Sequence, residues 1–290
     1  MVMKNIKQLY LYAKSQLKSF GIECPESEAL RLCEHFFGFS GRTGLLICSD
    51  DTPDAQKCES FLTAVEQRSH RPLQYILGTW QFGGMELSVG EGVLVPREDT
   101  TALVDSAVKM LDGINKPKVL DLCAGSGAVA LGILEQIPSA RLVCVELSDD
   151  ALPYLRENIK KYGRGQVQIL KGDVLDTPPN DLERNSFDAI VSNPPYIPTD
   201  DIDGLSPDVK REPFMALDGG RDGLNFYRSI CENWLCLLKH GGGLAVEIGI
   251  DQSDDVERIF VRSNLTDISL NHDINGKVRA INGTFRKNRS

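Results

Sequence analysis

Phe187-Asp188-Ala189-Ile190-Val191-Ser192-Asn193-Pro194-Pro195-Tyr196 reads as a short buried strand that runs straight into a stiff polar corner. Ile190 and Val191 are strand formers, and turn chemistry takes over at Ser192-Asn193. Two consecutive prolines then fix φ twice and remove two backbone N–H donors. What the corner offers a ligand is mainly acceptors: the Asn193 side-chain oxygen and the bare carbonyls of Asn193 and Pro194. Tyr196 adds a flat face and a hydroxyl. Such a corner suits a planar –NH2 group, whose two N–H bonds need two acceptors and whose face can stack on a ring. A proline-rich loop explains a lone Asn-Pro pair, but the full tetrapeptide directly after a hydrophobic strand is far more specific.

Asn193-Pro194-Pro195-Tyr196 resembles the signature of S-adenosylmethionine-dependent methyltransferases that act on amide or exocyclic amino nitrogens. The resemblance implies catalytic roles for Asn193, Pro194 and Tyr196, with Pro195 completing the substrate-binding corner.

A second stretch, Val119-Leu120-Asp121-Leu122-Cys123-Ala124-Gly125-Ser126-Gly127, is a strand running into a glycine turn and then a helix. Glycines admit a ligand close to the backbone, and the helix start offers free N–H groups. Glu146 ends the next strand about 20 residues later, placed to accept from a ribose diol. Taken alone, this half also partly satisfies the dinucleotide fingerprint, as Gly125-x-Gly127-x-x-Ala130. Two features favour S-adenosylmethionine: the Asn-Pro-Pro-Tyr corner has no role in hydride transfer, and no second dinucleotide-binding half follows. Gly172-Asp173-Val174, after the third strand, also matches the methyltransferase position that meets adenine, with Asp173 for the amino group and Val174 for the ring face. The expected cofactor-binding set is Asp121, Cys123, Ala124, Gly125, Ser126, Gly127, Glu146, Asp173, Val174 and Asn193. Asp121 is expected to face the amino group of the donor's methionine part, and capping of the helix or turn competes for it. In the usual doubly wound order the strands carrying Asp121 and Asn193 are neighbours, and ligands bind outside their carboxyl ends.

The chain has 290 residues, 41% hydrophobic and 25% charged, enough for one large domain and a small one. No apolar run approaches membrane-spanning length. An amphipathic pattern follows Met1-Val2-Met3-Lys4-Asn5 where a signal peptide would have an apolar core, so a cytoplasmic protein without membrane partners is expected. The net charge of −9 argues against a broad grip on nucleic acid, and no stable nucleic-acid binding is expected. Eight cysteines form no close CxxC pair and match no zinc template, so no metal is expected.

Residues 1–75 carry helical stripes: Ile6, Leu9, Tyr10, Ala13, Leu17 and Phe20; then Ala29, Leu30, Cys33, Phe36 and Phe37; then Cys58, Phe61, Leu62 and Val65. They predict a small all-α N-terminal domain that recognises the substrate. Alternation around Gly83-Gly84 predicts a β-hairpin linker over 76–97. From 98 to 290, strands and helices alternate, the mark of a doubly wound α/β sheet. Helices are expected near 224–238 and 252–263. A terminal strand is expected over Lys277 to Phe285, with a bulge at Gly283.

The whole pattern resembles the HemK-type protein-(glutamine-N5) methyltransferases that modify peptide-chain release factors. The matches are Leu94-Val95-Pro96-Arg97, the Asp121–Gly127 turn, Val191 to Pro198, Glu212-Pro213, Ala216 to Leu224, and Glu247-Ile248-Gly249. The resemblance implies a Rossmann-like class I methyltransferase domain. It implies S-adenosyl-L-methionine as donor, S-adenosyl-L-homocysteine as product, and the glutamine of a Gly-Gly-Gln loop in a release factor as acceptor. The alternative is an N-methyltransferase acting on adenine or guanine in RNA or DNA. The chain departs from the family at Glu98, where a proline is usual, at Thr101, where an acid is usual, and at Cys123, where the first turn glycine is usual.

Overall fold

A computed structural model describes residues 5–287. The chain divides after Gly78 into two compact units.

The first unit is helical: α1 (Ile6–Ser19), α2 (Pro25–Phe37), α3 (Gly41–Ile47), α4 (Ala55–Gln67) and α5 (Leu73–Leu77). Asn5 caps α1 by accepting from Gln8 N at 3.0 Å, and Asp54 caps α4 through Gln56 N and Lys57 N. Gly38, in the left-handed region at φ 77°, ends α2. The expected stripes meet inside, where Leu9, Ala13, Leu17, Ala29, Leu32, Cys33, Phe61 and Val65 are buried. Arg68, 2% exposed, is paired with Glu28 at 2.6 Å. The short helices α3 and α5 were not legible as periodic stripes, because seven and five residues scarcely define a helical period.

The second unit opens with the hairpin β1 (Thr79–Phe82) and β2 (Met85–Ser88), whose Phe82, Met85 and Leu87 are part of this unit's core. After α6 (Thr101–Met110) come β3 (Lys118–Leu122), α7 (Ala128–Gln136), β4 (Arg141–Glu146), α8 (Leu152–Tyr162), β5 (Val167–Lys171) and β6 (Phe187–Ser192). Then follow α9 (Asn225–Ser229), β7 (Leu238–Glu247), α10 (Ser253–Arg262), β8 (Leu265–His272) and β9 (Val278–Phe285). The described residues form a seven-stranded sheet in the order β5-β4-β3-β6-β7-β9-β8. Pairing is parallel from β5 to β7 and antiparallel through β9 and β8.

Alternation sends successive strand residues to opposite layers. Val119, Leu142, Cys144, Ala189 and Val191 join α6, α7 and α8 on one face. Leu120, Val143, Val145, Ile190 and Leu244 meet Tyr227, Trp234, Val256 and Phe260 on the other. Residues Ala128 to Leu134 of α7 are all buried, because α7 lies under the sheet on one side and under α6 and the hairpin on the other. Gly132 makes this fit: a Cβ there would come within 3.1 Å of Val104 and 3.4 Å of Phe82.

The helix expected near 224–238 is α9 followed by a π-turn, Ile230–Trp234, and a 3-10 turn, Leu235–Leu237. β8 escaped the sequence reading because its Thr266, Asp267, Ser269 and Asn271 are polar, as befits an edge strand. The bulge expected at Gly283 lies on the facing strand instead: Thr266 and Ser269 pair with Thr284 and Asn282, leaving Asp267 and Ile268 across from Gly283. No helix among the described residues is long and apolar enough to cross a membrane.

Asn158 of α8, fully buried, ties the hairpin to the glycine turn. It accepts from Ser88 N at 2.7 Å and donates to Ser88 O at 3.0 Å and to Ser126 O at 2.9 Å. Asn158→Ala leaves these backbone groups unpaired and should cost about 1–3 kcal/mol of stability. In urea titrations the midpoint should fall at unchanged slope; an unmoved midpoint would show that water replaces the amide.

Candidate active site

β3 and β6 pair in parallel with Asp121 opposite Val191 and Leu122 opposite Ser192. Ser192 Oγ also donates to Leu122 O at 2.7 Å. Both strands therefore end at one height, where the sheet order reverses direction, and the glycine turn and the Asn-Pro corner open side by side.

The turn bends through positive φ at Cys123 (58°), Gly125 (55°) and Gly127 (83°), and Gly127 starts α7. Cys123 stands where the resemblance assigns glycine and occupies a left-handed conformation that a side chain disfavours. Burial pushes its thiol well above the ordinary value, so it meets the cavity as a neutral group. Two backbone N–H groups of the turn have protein acceptors: Ala124 N donates to Val145 O at 3.0 Å, and Gly125 N to Glu146 Oε2 at 2.7 Å. The other oxygen of Glu146 accepts from Ser148 N at 2.8 Å. Each carboxylate oxygen retains a second acceptor site.

A cavity of ≈ 350 Å³ lies outside these strand ends, within the range of small-molecule sites. Of the residues expected from the sequence, Cys123, Ala124, Gly125, Ser126, Glu146, Asp173, Val174, Asn193 and Pro195 line it together. Four do not. Gly127 and Pro194 are buried and not among the lining residues. The Tyr196 hydroxyl turns away, toward Glu247 Oε1 at 3.4 Å. Asp121 projects to the α7 face, as strand alternation from Val119 dictates, and its Oδ2 accepts from Ala130 N at 3.1 Å. Through this bond Asp121 Oδ2 caps the first turn of α7. Asp121 Oδ1, buried, has no hydrogen-bond partner among the described residues.

Asn193 is held by a group absent from the sequence reading. Its Nδ2 donates to Thr100 Oγ1 at 3.3 Å. Among the described residues no protein group donates to Asn193 Oδ1 or to the Pro194 carbonyl. The wall opposite comes from residues 213–216, of which Phe214 and Met215 are exposed. Glu212, 5% exposed, fastens this wall by accepting from Val95 N at 3.0 Å and pairing with Arg97. Arg97 is thus paired with an acid, and residues 213–216 are part of the cavity lining. Burial raises the Glu212 pKa, and Arg97 opposes the rise. The missed residues Thr100, Phe214 and Phe226 carry no signal of spacing, since each reaches the site from a separate element: two different 3-10 turns and α9.

The residues fit S-adenosylmethionine. The lining carries the carboxylates of Glu146, Asp173 and Asp218 and no lysine, arginine or histidine, which suits a donor whose reactive sulfur is positively charged. Glu146 is placed for ribose hydroxyls, and Asp173 with Val174 for adenine.

The methyltransferase small domain family model matches residues 99–204, and the PrmC N-terminal domain model matches residues 8–78. The hMettl16 catalytic domain, solved in complex with the MAT2A 3′UTR hairpin 6, is similar in fold. It has a TM-score of 0.54 at 12% identity, over 82% of this chain and 84% of that one. Fold and site define a class I S-adenosylmethionine-dependent methyltransferase. The release factor glutamine methyltransferase of Geobacter sulfurreducens is 36% identical over 96% of this chain and 96% of its own length. That of Caulobacter vibrioides is 36% identical over 93% of each. The chain belongs to the release factor glutamine methyltransferase family.

Burial, with help from Glu146, pushes the Asp121 carboxyl from its ordinary 3.8 to about 8, against the Ala130 N–H. The unfolded chain therefore sheds this proton first as pH rises, and the donor-free protein loses stability between about pH 4 and about pH 8. Asp121→Asn carries no such proton and keeps an oxygen for Ala130 N. Its stability relative to the wild type should climb across that window and level off above it. Urea titrations at fixed pH measure this, and a pH-independent difference would place Asp121 at its ordinary value.

Proposed function

We propose that this protein transfers the methyl group of S-adenosylmethionine to the side-chain amide nitrogen of the glutamine in the Gly-Gly-Gln motif of peptide-chain release factors. Membership of a family whose relatives bear that activity in their names supports the reading. The observation that carries it is the amide corner: Asn193 Nδ2 is committed to Thr100, so Oδ1 is the end left for an incoming N–H.

Bound in the cavity, S-adenosylmethionine supplies a methyl group on a positively charged sulfur, leaving as a neutral thioether. An amide nitrogen is a poor nucleophile because its lone pair is delocalised into the carbonyl. Asn193 Oδ1 and the Pro194 carbonyl accept its two N–H bonds, polarise them and hold the nitrogen in one orientation. Pro194 and Pro195 keep that carbonyl rigid and supply no competing N–H. The attacked nitrogen becomes acidic only as its new N–C bond forms, and its surplus proton then passes to solvent water, so no strong base is needed. The Tyr196 hydroxyl, turned to Glu247, anchors the corner while its ring closes the protein side of it. Glu146 accepts from the ribose hydroxyls, and Asp173 from the adenine amino group.

Asn193→Ala should lower single-turnover methyl transfer to release factor on the order of 10²–10³ with little change in donor affinity. Glu146→Ala should do the reverse, weakening donor binding about tenfold or more by calorimetry while transfer at saturating donor is largely kept. Near-normal transfer by the Asn193 variant would remove it from the reaction.

The helical unit ending at Gly78 is assigned to substrate recognition, since every cofactor motif lies beyond it. A chain starting at Thr79 should bind donor yet methylate intact release factor at least about tenfold more slowly; an undiminished rate would move recognition to the second unit.

A further inference from the structure

Thr100, which holds the Asn193 amide, closes a single 3-10 turn, Glu98–Thr100. The turn runs on into α6, but the chain enters it through residues 94–97, which have no regular structure. The contact it has to place tolerates little error. Asn193 Nδ2 reaches Thr100 Oγ1 at 3.3 Å, already past the usual range of about 2.7–3.2 Å, so a small outward drift of the turn loses it.

One side chain ties this turn to the sheet. Arg279 of β9 pairs with Asp99, the middle residue of the turn, at 2.7 Å. Its Nε donates to Asp273 Oδ2 at 3.3 Å. Asp273 is itself fixed, its Oδ1 accepting from Asn275 N at 2.8 Å and Lys277 N at 2.9 Å. β9 runs antiparallel to β7 with Ala280 opposite Glu247, so its first residues lie at the strand ends where the site opens. There the Arg279 carbonyl accepts from Ile248 N at 2.9 Å. The side chains of Arg279 and Asp99 are 17% and 31% exposed, so salt screens this pair less than a surface one.

We propose that Arg279 is a positioning residue for methyl transfer: through Asp99 it holds the 98–100 turn against the sheet and so keeps Thr100 in place for Asn193. The inference rests on the role of Asn193 given above. A single 3-10 turn, with its poorer hydrogen-bond geometry, does not by itself define where a hydroxyl stands. Two fixed points do: Glu212 takes the chain at Val95 and Arg97, and Arg279 takes it at Asp99. With the second released, Thr100 recedes, Asn193 Nδ2 loses its acceptor, and Oδ1 no longer waits in one direction for the substrate N–H. Glu146, Asp173 and Val174 stand on other turns, so donor binding is kept. The turn can also be stiffened without the ion pair. Arg97 is extended at φ −100°, ψ 147°, as a following proline requires, and Glu98 N has no acceptor among the described residues. Glu98→Pro therefore fits and fixes φ at the first position of the turn.

The test is single-turnover transfer by the full chain to intact release factor, with donor affinity and urea midpoints measured alongside. Arg279→Gln and Asp99→Asn should each slow transfer about tenfold or more, with donor affinity within about twofold. Combined, they should be no slower than the slower single variant, since either change cuts the same tether. In a Thr100→Val background, where the contact is already lost, Arg279→Gln should cost less than about twofold further. Glu98→Pro should be harmless on its own and should restore about threefold or more of the rate that Arg279→Gln loses. A purely structural ion pair would move the urea midpoint and show none of these couplings. Transfer by Arg279→Gln at the wild-type rate overturns the proposal, as do losses that multiply in the double variants or a harmless Glu98→Pro that restores nothing. If Arg279→Gln fails to fold, Asp99→Asn reads the same tether from its more exposed side, and a wild-type rate there overturns the proposal equally. With wild-type transfer to release factor intact, such results remove the tether alone; no transfer by the wild type overturns the substrate reading together with it.

Discussion

Everything at the site depends on the pairing of β3 with β6. Parallel strands in register end together, and Ser192 fixes that register by bonding back to the Leu122 carbonyl. One strand releases the chain into a glycine turn and the other into two prolines. The first exit is flexible in φ and lets a ligand approach; the second is rigid and presents carbonyls. A slip of one residue would invert the faces of either strand and separate the cofactor wall from the amide corner.

Around this pair the second unit buries carboxylates where a core would ordinarily hold none. Asp121, Glu212 and Glu247 all have raised pKa values, and in each case burial is the leading cause. Their environments divide the work. Asp121 supports the start of α7 from the sheet face that α7 covers, and Glu212 ties the 95–97 segment to the wall of the cavity. Glu247 stands behind Tyr196. Burying such groups is costly unless each is satisfied, and among the described residues the two buried side-chain oxygens without partners belong to Asp121 and Glu247. A largely apolar cavity that carries three carboxylates and no basic side chain is matched to a cationic donor.

The segment after the corner closes the frame. Ile197 N bonds to Leu217 O at 3.0 Å and Gly219 N to Ile197 O at 2.8 Å, so residues 217–219 run alongside the chain leaving Tyr196. Gln252 adds a clasp, donating to Tyr196 O at 2.9 Å and to Gly223 O at 3.3 Å. Gly223 must lack a side chain, because a Cβ there would collide with the Tyr196 carbonyl. These contacts explain physically why a long stretch after the prolines accompanies the corner: it holds the corner's backbone, so that Asn193 and Pro194 need not move to work.

Local chemistry made much of this legible in the sequence. Strand runs, the glycine turn, the two prolines and the acid closing β4 each act over a few residues, and the parallel order follows from alternating strands and helices. Nine of the expected site residues accordingly line one cavity. What the tertiary structure decided depends on direction and long-range contact. Alternation along β3 points Asp121 at α7, away from the cavity, and the burial behind the corner draws the Tyr196 hydroxyl to Glu247. Thr100 reaches Asn193 across 93 positions of chain, and Glu212 reaches Val95 across 117. No spacing rule connects such residues; only the packed sheet, which brings separate turns to one end of its strands, sets an oxygen of one beside a nitrogen of another.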